Sequence, residues 1–243
     1  MKQNEFNGYV VARKNLSDAD LIINVFSKEQ GRVSFVAKGI KKPRAKLRSH
    51  LEPLAETKFR TIGNSNLPTL VAADSKSSND FFSVDNDTRL VALLVTEVIG
   101  IISVESQPNP PLYRAYKDFL KDCLKTERLL IELNYALITL LRAVGIEPHI
   151  NFESPGNYVF DFNEGTTKKG LGSKESVRIS QNTMKFWKAI LNYDKKTIMR
   201  LRVEQGDILN SIGILIQYIR YHFGKNIKSY KVLKESSSLL QHR

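Results

Sequence analysis

The sequence predicts an α+β fold, in which an N-terminal OB-fold β-barrel is followed by an α-helical C-terminal domain. Residues 1–78 contain five short β-prone runs separated by turn-forming residues, and this number of short strands in a small domain is typical of an OB barrel. Beyond residue 78, long apolar segments are bounded by residues that start and stop helices. We therefore predict a barrel domain at 1–78 and a helical domain at 79–243, joined in the Ser/Asn-rich stretch 76–80.

The barrel strands are predicted from runs of β-branched and aromatic residues. A turn from Lys28 to Gly31 separates the second run from the third, and Gly31 can adopt the positive φ that a tight turn requires. These two runs therefore form a hairpin. The predicted strands are residues 9–12, 21–26, 33–37, 57–62 and 70–73.

The first helices of the second domain are delimited by capping residues and prolines. Candidate N-caps at 83–87 precede a stretch that is apolar nearly all round, which predicts a buried helix. Pro111 can open the second helix, and Gly145 can end the third. The predicted helices are residues 90–104, 112–125 and 128–144.

The remainder of the second domain is predicted to be irregular at first and helical afterwards. An irregular polar insert at 146–179 is rich in Gly and Pro. Ser180 can cap a helix that runs to residue 192, and a last helix at 207–223 stops at Gly224. The basic tail from Lys225 onward is expected to be loosely ordered.

The charge balance narrows the classes of function. The chain has 37 Lys and Arg residues against 25 Asp and Glu residues, a net charge of +12. Such an excess favours nucleic acid or an anionic membrane surface as partner, although a generally basic protein is the alternative. The N-terminus lacks the apolar segment of a signal peptide, and no apolar run reaches the roughly 18 residues of a spanning helix. We expect a cytoplasmic protein that does not enter a membrane.

The sequence carries none of the common catalytic or phosphate-cradling motifs. Walker A, GxGxxG, HExxH and GxSxG patterns are all missing from it. Its single cysteine, Cys123, excludes a disulfide within the chain and a complete Cys-based zinc site. These absences disfavour an enzyme, and we predict a protein that needs no metal and no other cofactor.

A block of cations without acidic residues is the main candidate site. No Asp or Glu lies between Glu29 and Glu52, whereas seven positive charges do. Phosphate groups are the natural partner of such a block, because each neutralised phosphate releases a condensed counterion. A solvated basic loop is the alternative interpretation. The candidate DNA-binding residues are Arg32, Lys38, Lys41, Lys42, Arg44, Lys46 and Arg48.

Aromatic and histidine side chains near this block are secondary candidates. Phe35 and Phe59 lie on predicted strands and could stack on nucleic-acid bases, although an OB core also needs large apolar residues. His50 lies within the block, where it could contact phosphate or simply lie at the surface.

Segments spread along the whole chain resemble proteins of the RecO family. Val36-Ala37-Lys38-Gly39 is the most specific of them, whereas Tyr230 stands where the family usually has Arg. The similar segments are residues 20–27, 31–33, 36–39 and 42–54 in the barrel, 140–145 with Pro148 after it, and 224–229.

The resemblance implies a DNA-binding recombination mediator. Proteins of this family bind single- and double-stranded DNA, anneal complementary strands and catalyse no reaction. The implied partners are RecR and the acidic tail of single-stranded-DNA-binding protein, with which the family helps to load RecA recombinase. The helical segment with Leu129, Leu133, Leu137 and Arg142 is one candidate groove for that tail, and core packing of its leucines is the alternative.

The sequence departs from the family in one respect. Many RecO proteins carry a four-cysteine zinc site after the third helix, but here Glu153 and Gly156 stand where its first cysteine pair would fall. His149, Glu153 and Asp161 could be imagined as ligands, but isolated residues of this kind are usually solvated. Because some family members are similarly poor in cysteine, this departure concerns only the structural role of zinc.

Two other function classes remain open at this stage. A basic OB-type RNA-binding protein would share the fold and the charge. An enzyme that acts on a polyanionic substrate would share the charge but is disfavoured by the missing motifs. Competition between single-stranded DNA and structured RNA would separate the first class from a DNA-binding protein, and a turnover assay would separate the second.

Overall fold

The computed structural model describes residues 3–64, 67–75, 81, 83–237 and 239. The chain divides into two compact units, residues 1–114 and 115–243. The predicted domain junction at 76–80 lies outside the described residues, so the boundary at residue 78 stays a prediction. No helix among the described residues is long and apolar enough to cross a membrane.

The first unit contains the predicted five-stranded barrel. Its strands close in the order β1-β2-β3-β5-β4, which confirms the OB-like fold. β1 is far longer than predicted, because its first half pairs with β4 and its second half with β2. An irregularity between Val10 and Ala12 interrupts the pairing of the second half with β2. The strands are β1 (Gln3–Asn15), β2 (Leu21–Ser27), β3 (Gly31–Ala37), β4 (Thr57–Ile62) and β5 (Thr69–Ser75).

Three phenylalanines fill the barrel. The rings of Phe6, Phe35 and Phe59 lie 5.4 to 6.3 Å apart, and Phe35 and Phe59 are completely buried. The expectation that Phe35 or Phe59 stacks on nucleic-acid bases is therefore wrong. Both occupy inward positions of an alternating strand, and a small barrel needs large side chains there.

A helix and the segment after it cover part of the barrel. Asp85 caps α1 (Asn86–Ile102), which is buried on most of its surface as predicted. Gly31 has the predicted positive φ, at 70°, and a side chain there would collide with the backbone of Gln107. Tyr113 packs against the rings of Tyr9 and Phe26.

The second unit is mainly helical. α3 packs against α6, and a short chain of hydrogen bonds joins Trp187, Ser211 and Asn134 in its core. Ser180 and Gly224 bound their helices as predicted. The helices are α2 (Pro110–Cys123), α3 (Leu129–Ala143), α4 (Gln181–Asn192), α5 (Lys195–Ile198), α6 (Gln205–Phe223) and α7 (Lys228–Ser236), and the unit boundary falls within α2.

The prediction that residues 146–179 are irregular is wrong, because they contain a three-stranded antiparallel sheet. β6 lies between β7 and β8, and all four of its residues are buried. Phe160 of β6 meets Trp187 and Tyr218 edge-on, with ring centroids 5.1 and 5.0 Å away. Strands of four residues are too short to show a periodic pattern in the sequence. They are stabilised instead by packing against helices that are distant in sequence. The strands are β6 (Tyr158–Asp161), β7 (Thr166–Lys169) and β8 (Ser176–Ile179).

The expectation of a loosely ordered tail is also wrong for its first part. α7 buries Leu233 completely, and Lys231 lies one turn from Glu235. The apolar positions are too few to stand out from the surrounding lysines, which is why the sequence reads as a solvated basic tail.

A half-buried lysine holds α5 against the rest of the second unit. Lys195 Nζ lies 2.6 Å from both Asp122 Oδ2 and Glu132 Oε1, and it stands over the ring of Tyr135. Burial raises the pKa of Glu132, although the lysine opposes this shift. Burial likewise opposes the charge of Lys195, but the two carboxylates still raise its pKa. The lysine therefore compensates a carboxylate that is only 1% exposed.

We predict that Lys195→Met lowers the free energy of unfolding by about 3–5 kcal/mol, because it leaves Glu132 as an uncompensated buried charge. The E132Q/K195M double variant should recover most of that loss, since it removes both charges. Urea unfolding, followed by the fluorescence of Trp187, the one tryptophan of the chain, measures the free energy of unfolding of both variants. If the free energy of unfolding of Lys195→Met lies within about 1 kcal/mol of that of the unaltered protein, the Lys195–Glu132 pair contributes no more than an exposed ion pair does.

Candidate nucleic-acid interface

The acid-free segment comprises β3 and most of the connection from β3 to β4. A series of tight backbone hydrogen bonds winds the part after β3 into consecutive turns, for example from Ala45 N to Lys42 O and from Arg48 N to Ala45 O. It ends in a short 3₁₀ helix, Arg48–Leu51. The segment is thus a folded part of the barrel domain, with its own network of hydrogen bonds.

Apolar residues anchor this connection to the barrel. Ile40 and Leu51 belong to the barrel core, with exposures of 4% and 1%, and Ala45 and Leu47 pack against the same core. Because apolar and basic residues interleave here, burying one set turns the other outward. The exposed cations are Lys38, Lys42, Arg44, Lys46 and Arg48.

We call these five residues the cation array. None of them takes part in an ion pair with a described residue. Their charges are therefore available to an external anion, and the anchored turns limit the conformational entropy that binding would cost.

A carboxylate on the neighbouring loop fixes the start of the array. Asp20 Oδ1 accepts a 2.7 Å hydrogen bond from the backbone N–H of Gly39, which has a φ of 64°. This bond, with smaller contributions from the nearby Lys38 and Lys42 charges, lowers the pKa of Asp20. A left-handed turn of this kind suits glycine, and the ionised Asp20 holds it in place at neutral pH.

Two of the seven candidate residues are placed differently from the array. Lys41 is half-buried and its Nζ donates to Ser17 O at 2.7 Å. Arg32 lies at the opposite end of β3, about 20 Å along the strand from Lys38, and it donates to Gly100 O at 3.2 Å. The structure therefore assembles five of the candidates and ties the other two to the protein backbone.

Sequence reasoning missed two cations near the array. Arg13 and Lys14 end β1, beside the start of β2 and the end of β3, and both are exposed. Arg13 is paired with Glu52 at 2.8 Å. Only the strand register brings Lys14 to this end of the barrel, because it is separated from Lys38 by a complete hairpin.

The remaining candidates have structural surroundings. His50 is half-buried, and its Nδ1 lies 3.1 Å from Ser75 Oγ and 3.2 Å from Ser75 N. Within the described part of the chain, no three His, Cys, Asp or Glu residues are grouped so that they could hold a metal ion. Asp161 instead accepts hydrogen bonds within its own turn and pairs with Lys168.

Comparison with models of protein families identifies the family to which the chain belongs. Residues 1–79 match the family model described as Recombination protein O N terminal, and residues 85–231 match Recombination protein O C terminal. The chain belongs to the RecO family. The N-terminal match covers the barrel strands and the whole connection that carries the cation array, so the array lies within the RecO N-terminal domain.

Individual RecO proteins are similar over nearly the full chain. The protein named DNA repair protein RecO from Pelotomaculum thermopropionicum is 24% identical over 243 residues, which cover 96% of this chain and 94% of that protein. The one from Acetivibrio thermocellus is 24% identical and covers 94% and 95%. The one from Alteromonas mediterranea is 27% identical and covers 68% and 73%.

Proposed function

We propose that this protein is a non-catalytic DNA-binding protein of DNA repair, which acts as a recombination mediator by annealing complementary single strands and helping to load RecA. One observation carries the proposal: a closed barrel of a RecO-family chain holds outward, on anchored turns, five cations that form no ion pair with a described residue. Such an array is suited to the repeated phosphates of a nucleic-acid strand.

The chemistry of the array suits binding without sequence preference. Lysine and arginine side chains that contact phosphate fix the position of a strand but do not read its bases. The barrel aromatics are buried and therefore cannot read bases either. A mediator that anneals arbitrary complementary strands needs this kind of contact. The RNA-binding alternative shares the fold and charge, and the family match favours DNA over it.

The proposal includes RecR as a partner and the acidic tail of single-stranded-DNA-binding protein as a ligand. The groove suggested by sequence for that tail is filled, because Leu129, Leu133 and Leu137 are buried in the core and Arg142 is paired with Glu147. We infer instead that the tail uses a cleft of about 350 Å³ between α4 and residues 201–204. Lys185 and Arg202 line this cleft together with Phe186, Leu201 and Val203, and the carboxylates of Glu204 and Asp207 lie there as well. Asp207 accepts hydrogen bonds from the hydroxyl groups of Ser180 and Thr183, so the two cations and the apolar residues are what the cleft offers to a peptide with carboxylates and apolar side chains.

We predict that DNA affinity depends steeply on salt and that the cation array is responsible. If about four to six phosphates are contacted, the plot of log K against log[salt] should have a slope of roughly −3 to −5. Replacing Lys42, Arg44 and Lys46 by Ala should make the slope less steep by about 2, and should weaken binding to all sequences alike. Fluorescence anisotropy with labelled oligonucleotides gives both values.

The matched control for this variant is K121A/K125A/K225A. It removes the same charge from three exposed lysines that lie outside the barrel connection. The control should keep the original slope. An unchanged slope in the K42A/R44A/K46A protein, or a slope near zero in the unaltered protein, would contradict the role of the array.

We predict further that the protein anneals complementary strands coated with single-stranded-DNA-binding protein, and that ATP makes no difference, since the sequence has no phosphate-cradling loop. A fluorescence-quenching assay with complementary oligonucleotides measures this. Annealing of coated strands should be lost when the coating protein lacks its acidic tail. A generic RNA-binding protein would speed up naked strands and stall on coated ones, so failure on coated strands with DNA binding intact would favour that alternative.

A further inference from the structure

A second basic segment lies in the helical unit. Between Ser176 and Val203 the sequence has seven Lys and Arg residues and a single carboxylate, that of Asp194. The bias is close to that of the barrel connection, but it is spread over a longer stretch and interrupted by a buried helix face. For that reason it does not stand out from the sequence as a block.

The structure sorts this segment into an inward and an outward part. Lys195 turns inward to Asp122 and Glu132. Lys188 near the end of α4, Lys196 in α5 and Arg200 just after α5 are exposed, and no described residue forms an ion pair with them. α4 packs directly against α5, which brings the segments that carry these cations together.

The single carboxylate of the segment is engaged by its own helix. Asp194 caps α5, and its Oδ1 and Oδ2 accept hydrogen bonds from Thr197 N at 3.1 Å and Thr197 Oγ1 at 2.8 Å. These bonds to Thr197 lower the pKa of Asp194. The charge of Asp194 therefore offsets part of the local potential but offers no ion-pair partner to the three cations.

An exposed aromatic side chain lies within the same segment. Tyr193, directly between α4 and α5, is 62% exposed. Cations together with an exposed aromatic ring are the combination that single-stranded nucleic acid uses, because phosphates meet the charges and a base can stack on the ring. An acidic peptide would need the charges but not a solvated ring.

We propose that Lys188, Tyr193, Lys196 and Arg200, together the α4–α5 surface, form a second binding site for single-stranded nucleic acid. The proposal rests on the proposed annealing function and deepens it. Two strands repel each other through their phosphates, and a protein lowers that barrier when it holds each of them on a cationic surface. The barrel unit carries one such surface and the helical unit the other.

The C-terminal helix is a weaker candidate for the second strand although it is rich in lysine. Lys231 lies near Glu235, Lys234 stands over the ring of Tyr230, and Lys228 is also engaged in an interaction. The cations of the α4–α5 surface are exposed and, among the described residues, unpaired, so they cost less to bring to a phosphate.

The test uses the full-length chain and two variants that remove equal charge. K188A/K196A/R200A alters the α4–α5 surface, and K121A/K125A/K225A is its control. We expect the affinity of the first variant for one single strand to lie within about threefold of that of the unaltered protein, because the cation array is intact. We expect it to anneal complementary strands at least about tenfold more slowly. The control should anneal normally. Tyr193→Ala should slow annealing about tenfold through lost stacking.

Lysine acetylation with mass-spectrometric readout tests the site independently of annealing. Poly-dT should protect Lys188 and Lys196 but leave Lys121 reactive, and protection should persist in the K42A/R44A/K46A variant. If the unaltered protein does not anneal but this protection is seen, the annealing function fails and the second site stands. Normal annealing by K188A/K196A/R200A, or protection of these lysines by an acidic peptide and not by poly-dT, would overturn the second site.

Discussion

The packing of four apolar side chains against the barrel core is the interaction on which the proposed interface depends. Ile40, Ala45, Leu47 and Leu51 interleave with the basic residues of the β3–β4 connection. Without that packing, a run of like charges would repel itself and remain extended. With it, the hydrophobic effect that closes the barrel also holds the cations in one place. Stability of the domain and placement of its charges therefore have a common source.

The same separation of inward and outward cations recurs in the helical unit. Lys195 compensates the buried carboxylate of Glu132, whereas Lys196, the next residue, faces solvent. In the barrel unit, Lys41 is tied to Ser17 O while Lys42 is exposed. Positive charge in the sequence is therefore a poor guide to binding by itself. Each lysine either forms an ion pair or hydrogen bond within the protein or remains available to a partner, and only the three-dimensional contacts show which of the two applies.

Features governed by local chemistry could be predicted from the sequence. The positive φ of Gly31, the cap at Ser180 and the helix end at Gly224 depend on one residue and its neighbours, and all were predicted correctly. Features governed by distant packing could not. The sheet β6–β8 depends on the contacts of Phe160 with Trp187 and Tyr218, and α7 depends on the burial of Leu233. Seven cations were predicted as candidates, but their division into the five exposed residues of the cation array and two tethered residues required the fold.

Leu47→Asn tests most directly whether anchored placement, rather than charge alone, makes the interface. It loosens one anchor of the connection and leaves every charge in the chain unchanged, and Val71→Asn, at a 43% exposed position of β5, is the matched control. The affinity of the full-length protein for a single-stranded oligonucleotide is measured at fixed salt, and circular dichroism confirms that both variants are folded. We expect Leu47→Asn to weaken binding about three- to tenfold because the cations lose their preorganisation, and Val71→Asn to bind normally. Equal affinity and an equal salt slope for both folded variants would contradict the account.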